Sequence, residues 1–127
     1  MRHILLCDDD LPLVRATEVR FLRDGYRVTC CFDGQAAFEA IFRDMPDLVV
    51  TDFCMPRLNG VQLIEKLRAD ERTKSLPIIV LTAKEHELDV ERLAGEFDVR
   101  SVLSKPFSPR ELIRLAERTL ANGVLAP

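Results

Sequence analysis

The sequence predicts an α/β fold in which helices cover both faces of one parallel sheet of five strands. Two observations support this prediction. Short apolar runs alternate with amphipathic segments along all 127 residues, as in chains that repeat a strand and a helix. The runs are hydrophobic at nearly every position instead of at every second one, which is typical of parallel strands buried on both faces. A chain of this length forms one domain with its own core.

The first two strand and helix units are bounded by clear stop signals. Residues 4–7 form the first apolar run, and Gly25 ends the following helix because glycine tolerates left-handed backbone. Residues 26–31 are a second, more polar strand. The second helix ends near Pro46, since a proline ring cannot continue a helix. The inward-facing positions are Val14, Phe21 and Leu22 in the first helix and Ala37, Phe38, Ile41 and Phe42 in the second.

The third and fourth units follow the same pattern. Residues 47–52 are the third strand, and the next helix opens near Gly60. Pro77 then introduces the fourth strand over residues 78–82. The third helix presents Leu63, Ile64 and Leu67 to the core, and the fourth presents Val90, Leu93, Ala94 and Phe97 at helical spacing.

The last unit has the best-marked helix start. After a strand at residues 102–104, Ser108 is a good N-cap and Pro109 suits the first helical position. Glu111 lies at the distance that a capping box requires. The inner stripe of this helix is Leu112, Leu115, Ala116, Thr119 and Leu120.

The domain is expected to cover residues 1–122, because Asn122 and Gly123 end the last helix, with a short tail at residues 123–127. No apolar run approaches the roughly 20 residues of a membrane span, and the first strand follows the N-terminus without a signal-peptide h-region, so no secretion signal is expected. The 18 basic and 21 acidic residues give a formal charge of −3, which lacks the basic footprint of a nucleic-acid-binding protein. We therefore expect a cytoplasmic protein without direct nucleic-acid or membrane contact.

The cysteines and histidines do not form a recognisable metal or redox motif. The four cysteines, Cys7, Cys30, Cys31 and Cys54, include no C-x-x-C pair, and we expect reduced thiols that are mostly buried. His3 and His86 have no partner at metal-ligand spacing, and we expect them at the surface or at a strand edge.

Five chemically active side chains lie where four of the predicted strands end. They are Asp8, Asp9, Asp52, Thr82 and Lys105. In parallel sheets ligands bind beyond the carboxyl ends of the strands, so these side chains are expected to meet. Three neighbouring carboxylates repel one another unless a cation offsets their charge, and oxygen ligands suit Mg²⁺.

The same residue types suit phosphoryl transfer. A carboxylate can attack phosphorus and form an aspartyl phosphate. Mg²⁺, the Lys105 ammonium and the Thr82 hydroxyl could then neutralise the phosphoryl oxygens.

Four segments, in this order, resemble the receiver domains of two-component response regulators, such as the single-domain chemotaxis receiver. They are the acidic stretch after residues 4–7, the loop at residues 52–60, Leu81-Thr82-Ala83, and Lys105-Pro106-Phe107. The resemblance covers essentially the whole chain. It implies a flavodoxin-like, doubly wound (βα)5 three-layer sandwich with strand order 2-1-3-4-5.

The resemblance implies a role for each acidic residue. Asp52 would be the phosphoacceptor and would receive its phosphoryl group from a histidine kinase or a small phosphodonor. Asp9 would bind Mg²⁺ directly and Asp8 largely through water, with Asp52 and the backbone carbonyl of Cys54 completing the ligands. The protein would catalyse only its own phosphorylation and hydrolysis, so we do not expect a multiple-turnover enzyme.

The resemblance also implies a switch and partners. Lys105 would pair with the acceptor and then with the phosphoryl group, and Thr82 would move toward the phosphate. The Lys105-Pro106 bond would be cis, which an X-Pro bond permits. Expected partners are a histidine kinase or phosphotransfer protein and a downstream target protein. The fourth helix, fifth strand and fifth helix would form the target surface and a possible homodimer contact.

The chain departs from the family pattern in the part that carries output. Val102 stands where the family has a switching aromatic residue, and Asp98-Val99 replaces a Gly-Ala pair. The stretch from Thr82 to Lys105 is also one residue longer than typical, so we expect a rebuilt fourth-helix region. Cys54 and Lys84 occupy positions that tune the lifetime of the phosphate in the family.

The acidic residues also permit other interpretations. Acidic residues after strands often only cap helices, and Asp10 is expected to be such a cap. A dinucleotide-binding fold would need glycines after its first strand, and a haloacid-dehalogenase-type phosphatase would need a D-x-D-x-T/V signature, which Asp8-Asp9-Asp10-Leu11-Pro12 does not meet. The serious alternative is a receiver-like interaction module that works without phosphorylation, which Val102 keeps open.

Overall fold

The computed structural model describes the backbone of residues 1–125 and the side chains of residues 1–121. Its strands are β1 His3–Cys7, β2 Arg27–Cys31, β3 Leu48–Asp52, β4 Ile78–Thr82 and β5 Ser101–Ser104. Its helices are α1 Leu11–Arg23, α2 Gly34–Arg43, α3 Gly60–Ala69, α4 Glu87–Phe97 and α5 Pro109–Leu125. One turn of 3₁₀ helix, Lys84–His86, precedes α4.

All five strands are parallel and lie in the order β2-β1-β3-β4-β5. The predicted doubly wound fold and its strand order are therefore confirmed. The register aligns Asp52 at the end of β3 with Leu81 of β4, and Thr82 at the end of β4 with Ser104 of β5. The strands consequently end at one common edge of the sheet.

The sheet separates two hydrophobic clusters, one on each face. Adjacent strand residues belong to opposite clusters, such as Leu5 and Leu6 in β1. The first cluster draws on α2, α3 and α4, whereas the second draws on α1 and α5. Burying one leucine side chain contributes roughly 1.5–3 kcal/mol, so covering both faces is what makes near-continuous apolar strands stable.

The predicted helix caps are present. The Asp10 carboxylate accepts a hydrogen bond from the Leu13 amide at 3.2 Å and caps α1. The Glu111 amide donates to Ser108 Oγ at 3.2 Å, and the Ser108 amide donates to Glu111 Oε1 at 3.3 Å, which forms the expected capping box of α5. Gly25 has φ +91°, as the predicted stop after α1 requires.

Three expectations about individual positions were wrong. Leu22 of α1, which was expected to face the core, is 53% exposed, since its neighbour Phe21 occupies the buried stripe. The last helix continues through Asn122 and Gly123 to Leu125, because one glycine costs a helix only about 1 kcal/mol. The rest of the predicted tail, residues 126–127, lies outside the described residues, and the boundary of the domain stays a prediction. His3 is 2% exposed, since β1 is an inner strand with neighbours on both sides, and its Nε2 lies 2.7 Å from Thr29 Oγ1.

The end of α4 is capped by a side chain from another helix, while the expected rebuilding of the fourth-helix region stays a prediction. Asp98 adopts left-handed backbone with φ 53°, where a glycine would be favoured. The half-buried Arg68 of α3 donates hydrogen bonds to the carbonyls of Phe97 at 2.7 Å, Asp98 at 3.1 Å and Thr73 at 3.2 Å. An arginine from the neighbouring helix therefore satisfies the carbonyls that end α4.

None of the helices within residues 1–125 combines the length and apolar composition that a membrane crossing requires.

Candidate functional site

The structure brings the predicted acidic residues together at the carboxyl edge of the sheet. Asp8 and Asp9 follow β1, and Asp52 ends β3. One carboxylate oxygen from each of the three lies within 4.8 Å of the other two. Asp8 is fully buried and Asp52 is 7% exposed, whereas Asp9 is exposed. The cluster thus has a buried floor and one side that solvent can reach.

Lys105 supplies the positive charge nearest to this cluster. Its Nζ lies 2.8 Å from Asp8 Oδ2 and 3.4 Å from Asp52 Oδ1. Its backbone amide donates to the Thr82 carbonyl at 2.8 Å, and the Lys105-Pro106 bond is cis, as the resemblance implied. The ammonium group therefore bridges the two buried carboxylates.

Burial and mutual repulsion disfavour the charged forms of these carboxylates. Burial, followed by the negative charge of Asp8, raises the pKa of Asp52 from 3.8 to about 6 despite Lys105. Burial also raises the pKa of Asp8, and the hydrogen bonds from Lys105 and the Asp10 amide oppose that rise. Burial would lower the pKa of Lys105, but its two carboxylate partners outweigh that effect and raise it. The site therefore has more negative charge than one ammonium group offsets.

The residues present fit a hard divalent cation. Asp8 Oδ2 is buried, and its one ion-pair partner in the described residues is Lys105 Nζ at 2.8 Å. The three carboxylates offer only oxygen donors, which are the ligands that Mg²⁺ prefers. Buried carboxylates whose charge is incompletely offset are costly, so a cation held by Asp8, Asp9 and Asp52 would offset the negative charge that Lys105 alone leaves uncompensated.

Thr82 lies at the same edge, but its hydroxyl does not contact the carboxylates. The side chain is buried, and its Oγ1 donates to the carbonyl of Ala83 at 3.0 Å. This bond connects the hydroxyl to the loop that leads into α4. Lys84, the next residue but one, is exposed at the start of the 3₁₀ turn.

Sequence reasoning missed a second hydroxyl at this edge. Ser104 ends β5 directly before Lys105, and its Oγ donates to Glu87 Oε1 of α4 at 2.7 Å. The signal was available, since a serine precedes the lysine at a strand end, but nothing local identifies Glu87 as its partner. This bond connects the start of α4 to the strand that carries Lys105.

The loop after Asp52 is held against the sheet by close packing. A Cβ on Gly60 would overlap the backbone carbonyl oxygen of Asp52, so only glycine permits this approach. Arg57 has φ 67° and its guanidinium lies 2.7 Å from Asp33 Oδ2, the cap of α2. These contacts fix the backbone on which Asp52 is presented.

Two other predicted residues, Cys54 and Val102, form no side-chain hydrogen bond or ion pair with the three carboxylates in the described part of the chain. Cys54 is exposed in the loop after Asp52, while Cys7 and Cys31 are buried and Cys30 is half-buried; all four thiols are free. Val102 is half-buried in β5 and packs against the cluster shared by α2, α3 and α4. A role for the Cys54 carbonyl stays a prediction.

Comparisons with known proteins agree with this geometry. Residues 4–117 match the family model described as the response regulator receiver domain. A protein from Chloroflexus aurantiacus J-10-fl that is described as a response regulator is 30% identical, with a TM-score of 0.86 and coverage of 94% of this chain and 98% of that one. The receiver domain of the Francisella response regulator 1452 is 28% identical, with a TM-score of 0.86 and coverage of 96% and 98%.

A further match shows the fold alone. A CheY-like response regulator receiver domain protein from Methanospirillum hungatei JF-1 is 20% identical, with a TM-score of 0.91 and coverage of 100% of this chain and 99% of that one.

Proposed function

Because the chain belongs to the family of response regulator receiver domains, whose model matches residues 4–117, we propose that it accepts a phosphoryl group on Asp52. One observation carries this proposal. The Asp52 carboxylate lies 3.4 Å from the Lys105 ammonium and within 4.8 Å of two further carboxylates. This combination offers a nucleophile, a fixed positive charge and oxygen donors for a cation at one point.

The proposed transfer needs only a phosphodonor and, for the later hydrolysis, water. A carboxylate oxygen of Asp52 attacks the phosphorus of the donor, and the bond between phosphorus and the leaving group breaks. The leaving group is a histidine nitrogen of a kinase or phosphotransfer protein, or acetate when acetyl phosphate is the donor. Water later attacks the phosphorus, releases inorganic phosphate and restores the carboxylate. The protein thus acts on itself, and we expect no turnover of other phosphate esters.

Two groups would neutralise the phosphoryl oxygens during transfer. Mg²⁺, held by Asp8, Asp9, Asp52 and the carbonyl of Cys54, would supply positive charge at the oxygens and offset the carboxylates. Lys105 would exchange its contact with Asp52 Oδ1 for one with the phosphoryl group. Loss of Lys105 should therefore impair transfer or signalling more than folding.

Output would follow from the loop between β4 and α4. The Thr82 hydroxyl, which now bonds the Ala83 carbonyl, would move toward the phosphate and carry that loop with it. We propose that this movement changes affinity for a target protein at the face formed by α4, β5 and α5, where a homodimer could also form. A groove of about 350 Å³ on this face is lined by Val102, Leu103, Glu111, Arg114, Leu115 and Arg118.

A second candidate function is a receiver-like interaction module that works without phosphorylation. Val102 favours it, because its short branched side chain cannot make the inward swing of the aromatic residue that the family has there. Substitutions on the α4, β5 and α5 face should weaken target capture in both cases. Only the first function requires that phosphorylation changes the capture.

The test is intact mass spectrometry after incubation with acetyl phosphate, with and without Mg²⁺. Asp52→Asn is compared with Asp47→Asn, which changes a carboxylate of similar size just before the opposite end of β3. We expect one Mg²⁺-dependent phosphoryl adduct on the wild type and on Asp47→Asn, and none on Asp52→Asn.

An adduct that survives in Asp52→Asn would place the acceptor elsewhere. No adduct on the wild type, under conditions that label another receiver, would favour the interaction module. Rapid hydrolysis is tested separately with beryllofluoride, a stable mimic of the phosphoryl group, by following the amide resonances around Asp52.

A further inference from the structure

A groove of about 300 Å³ runs between α3 and α4, on a different surface from the groove beside β5. Its floor is apolar and is formed by Phe53, Val61, Leu93 and Phe97. Phe53 directly follows Asp52, and its ring lies 5.3 Å from the imidazole of His86 in the turn before α4. The groove therefore begins beside the candidate site and follows the two helices away from it.

The rim of the groove is acidic. Glu65 of α3 and Asp89 and Glu96 of α4 line it, together with the single basic residue Arg92. None of the ion pairs found within residues 1–121 involves these four side chains. The α4 sequence carries four carboxylates against one arginine. The negative charge at this rim is consequently left without a partner inside the described part of the chain.

A large apolar side chain of α4 that does not line the groove is exposed near its rim. Leu88 is 78% exposed, more than any other large hydrophobic residue within residues 1–121 apart from Met1. It precedes Arg92 by one helical turn, and residues four apart are neighbours on a helix surface. An occupant that crosses the rim at Arg92 would therefore meet further apolar surface.

We propose that this groove is a docking site for a basic amphipathic helix of a partner protein. Apolar side chains of that helix would enter the floor, where buried anchors supply most of the affinity in such contacts. Its lysine or arginine residues would pair with the acidic rim, which selects the partner and speeds association. This docking does not require phosphoryl transfer, because the apolar floor and the acidic rim are both present in the unphosphorylated protein.

The test is a titration of the full, unphosphorylated ¹⁵N-labelled chain with a synthetic helical peptide. The peptide carries leucine at i, i+3, i+4 and i+7 and lysine or arginine elsewhere, and its control carries glutamate in place of the basic residues. Binding is followed through the amide resonances and by fluorescence anisotropy. We expect the basic peptide to shift resonances of α3, α4 and Phe53, and the acidic peptide to leave them unchanged.

Matched variants separate the groove from general attraction to an acidic protein. Glu96→Lys at the rim should weaken binding at least about fivefold, whereas Glu91→Lys, on another side of α4, should change it less than about twofold. Val61→Ser on the floor should weaken binding. The same change at the exposed Val19 of α1, Val19→Ser, should leave binding unchanged. The titrations contain no phosphodonor, which keeps this result independent of phosphorylation.

Three results would overturn the proposal. The first is resonance shifts that map outside α3 and α4. The second is an equal loss of binding in Glu91→Lys and Glu96→Lys. The third is concentration-dependent self-association in sedimentation that Glu96→Lys abolishes, since a second copy of the chain would then be the occupant.

Discussion

At the scale of single residues, the charge balance of the candidate site conflicts with the stability of the fold. Asp52 is 7% exposed and lies beside the fully buried Asp8, and one ammonium group serves both. Burial and the charge of Asp8 raise the pKa of Asp52 to about 6. A carboxylate that the fold disfavours is consistent with a site kept for binding a cation and reacting, since buried charges are rarely retained for stability alone.

Asp52→Asn should therefore become more stable than the wild type as pH rises. The folded protein holds a proton at Asp52 up to about 6, whereas the unfolded chain releases it near 3.8. Between these values the folded state binds more protons, so wild-type stability falls with rising pH and levels off above the folded value. The advantage of Asp52→Asn should grow through this window by at most about 3 kcal/mol, less where solvent screens the charge.

This prediction is checked by urea unfolding, followed by circular dichroism, at several pH values in the presence of EDTA. In a second series with Mg²⁺ in place of EDTA, the advantage should shrink at the upper end of the window, because the cation offsets the charge. An advantage of constant size across the window would contradict the assigned cause.

At the scale of elements, α4 is held at both ends by side chains from other elements. Ser104 of β5 bonds Glu87 in its first turn, and Arg68 of α3 bonds the carbonyls of Phe97 and Asp98 at its end. Asp98 occupies the left-handed position where a glycine is usual. Hydrogen bonds from neighbouring elements thus replace the glycine stop signal that the sequence lacks at the end of α4.

Arg68→Met should destabilise the protein by about 1–3 kcal/mol, because it removes the donor to carbonyls at the end of α4. Arg23→Met, at an exposed position in the last turn of α1, is the matched control and should change the free energy of unfolding by less than about 0.5 kcal/mol. Urea unfolding measures both, and hydrogen exchange should show faster opening at the end of α4 only in Arg68→Met. Equal effects of the two changes would refute the capping role.

Two glycines in helices should respond to alanine in opposite directions. A Cβ on Gly60 would overlap the Asp52 carbonyl oxygen, whereas a Cβ on Gly95 would meet nothing within 4 Å. Gly60→Ala should destabilise the fold and lower the yield of phosphoryl adduct. Gly95→Ala should stabilise it by about 0.5–1 kcal/mol through the lower entropy of the unfolded chain. Thermal unfolding of both variants decides this, and a stabilised Gly60→Ala would contradict the close approach.

At the scale of the whole molecule, one sheet is shared by two cores. Leu5 faces the cluster of α2, α3 and α4, and Leu6 faces that of α1 and α5. Because each strand contributes to both faces, neither face can lose its packing while the other keeps its sheet. The molecule should therefore unfold as one cooperative unit, as small domains usually do.

Tyr26 provides a probe of this coupling, since it is the only tyrosine and the chain has no tryptophan. Its ring packs on Phe21 at 5.3 Å, on the side of α1 and α5. Leu5→Ala removes packing on the opposite side and should cost about 2–5 kcal/mol. The tyrosine fluorescence transition should shift as far as the circular dichroism transition, and a fluorescence transition that stays at the wild-type midpoint would show that the two faces unfold separately.

Much of the site could be predicted because its location follows from local patterns and one topological rule. Apolar runs identify the strands, and parallel strands place their ends at one edge, so Asp8, Asp52 and Lys105 had to lie near one another. The same logic failed for His3, whose burial depends on which strands flank β1. It also failed for the end of α5, where Asn122 and Gly123 are weaker stops than their residue types imply.

The sequence by itself determined the fold class, the strand boundaries to within a residue or two, and the residues of the carboxyl edge. Periodicity and capping act between residues close in the chain, which is why they can be predicted from it. Only the tertiary structure decided that Lys105 bridges Asp8 and Asp52, that Ser104 bonds Glu87, and that an acidic groove opens between α3 and α4. Those contacts join residues far apart in sequence, and their distances, burial and charge depend on packing that no local pattern specifies.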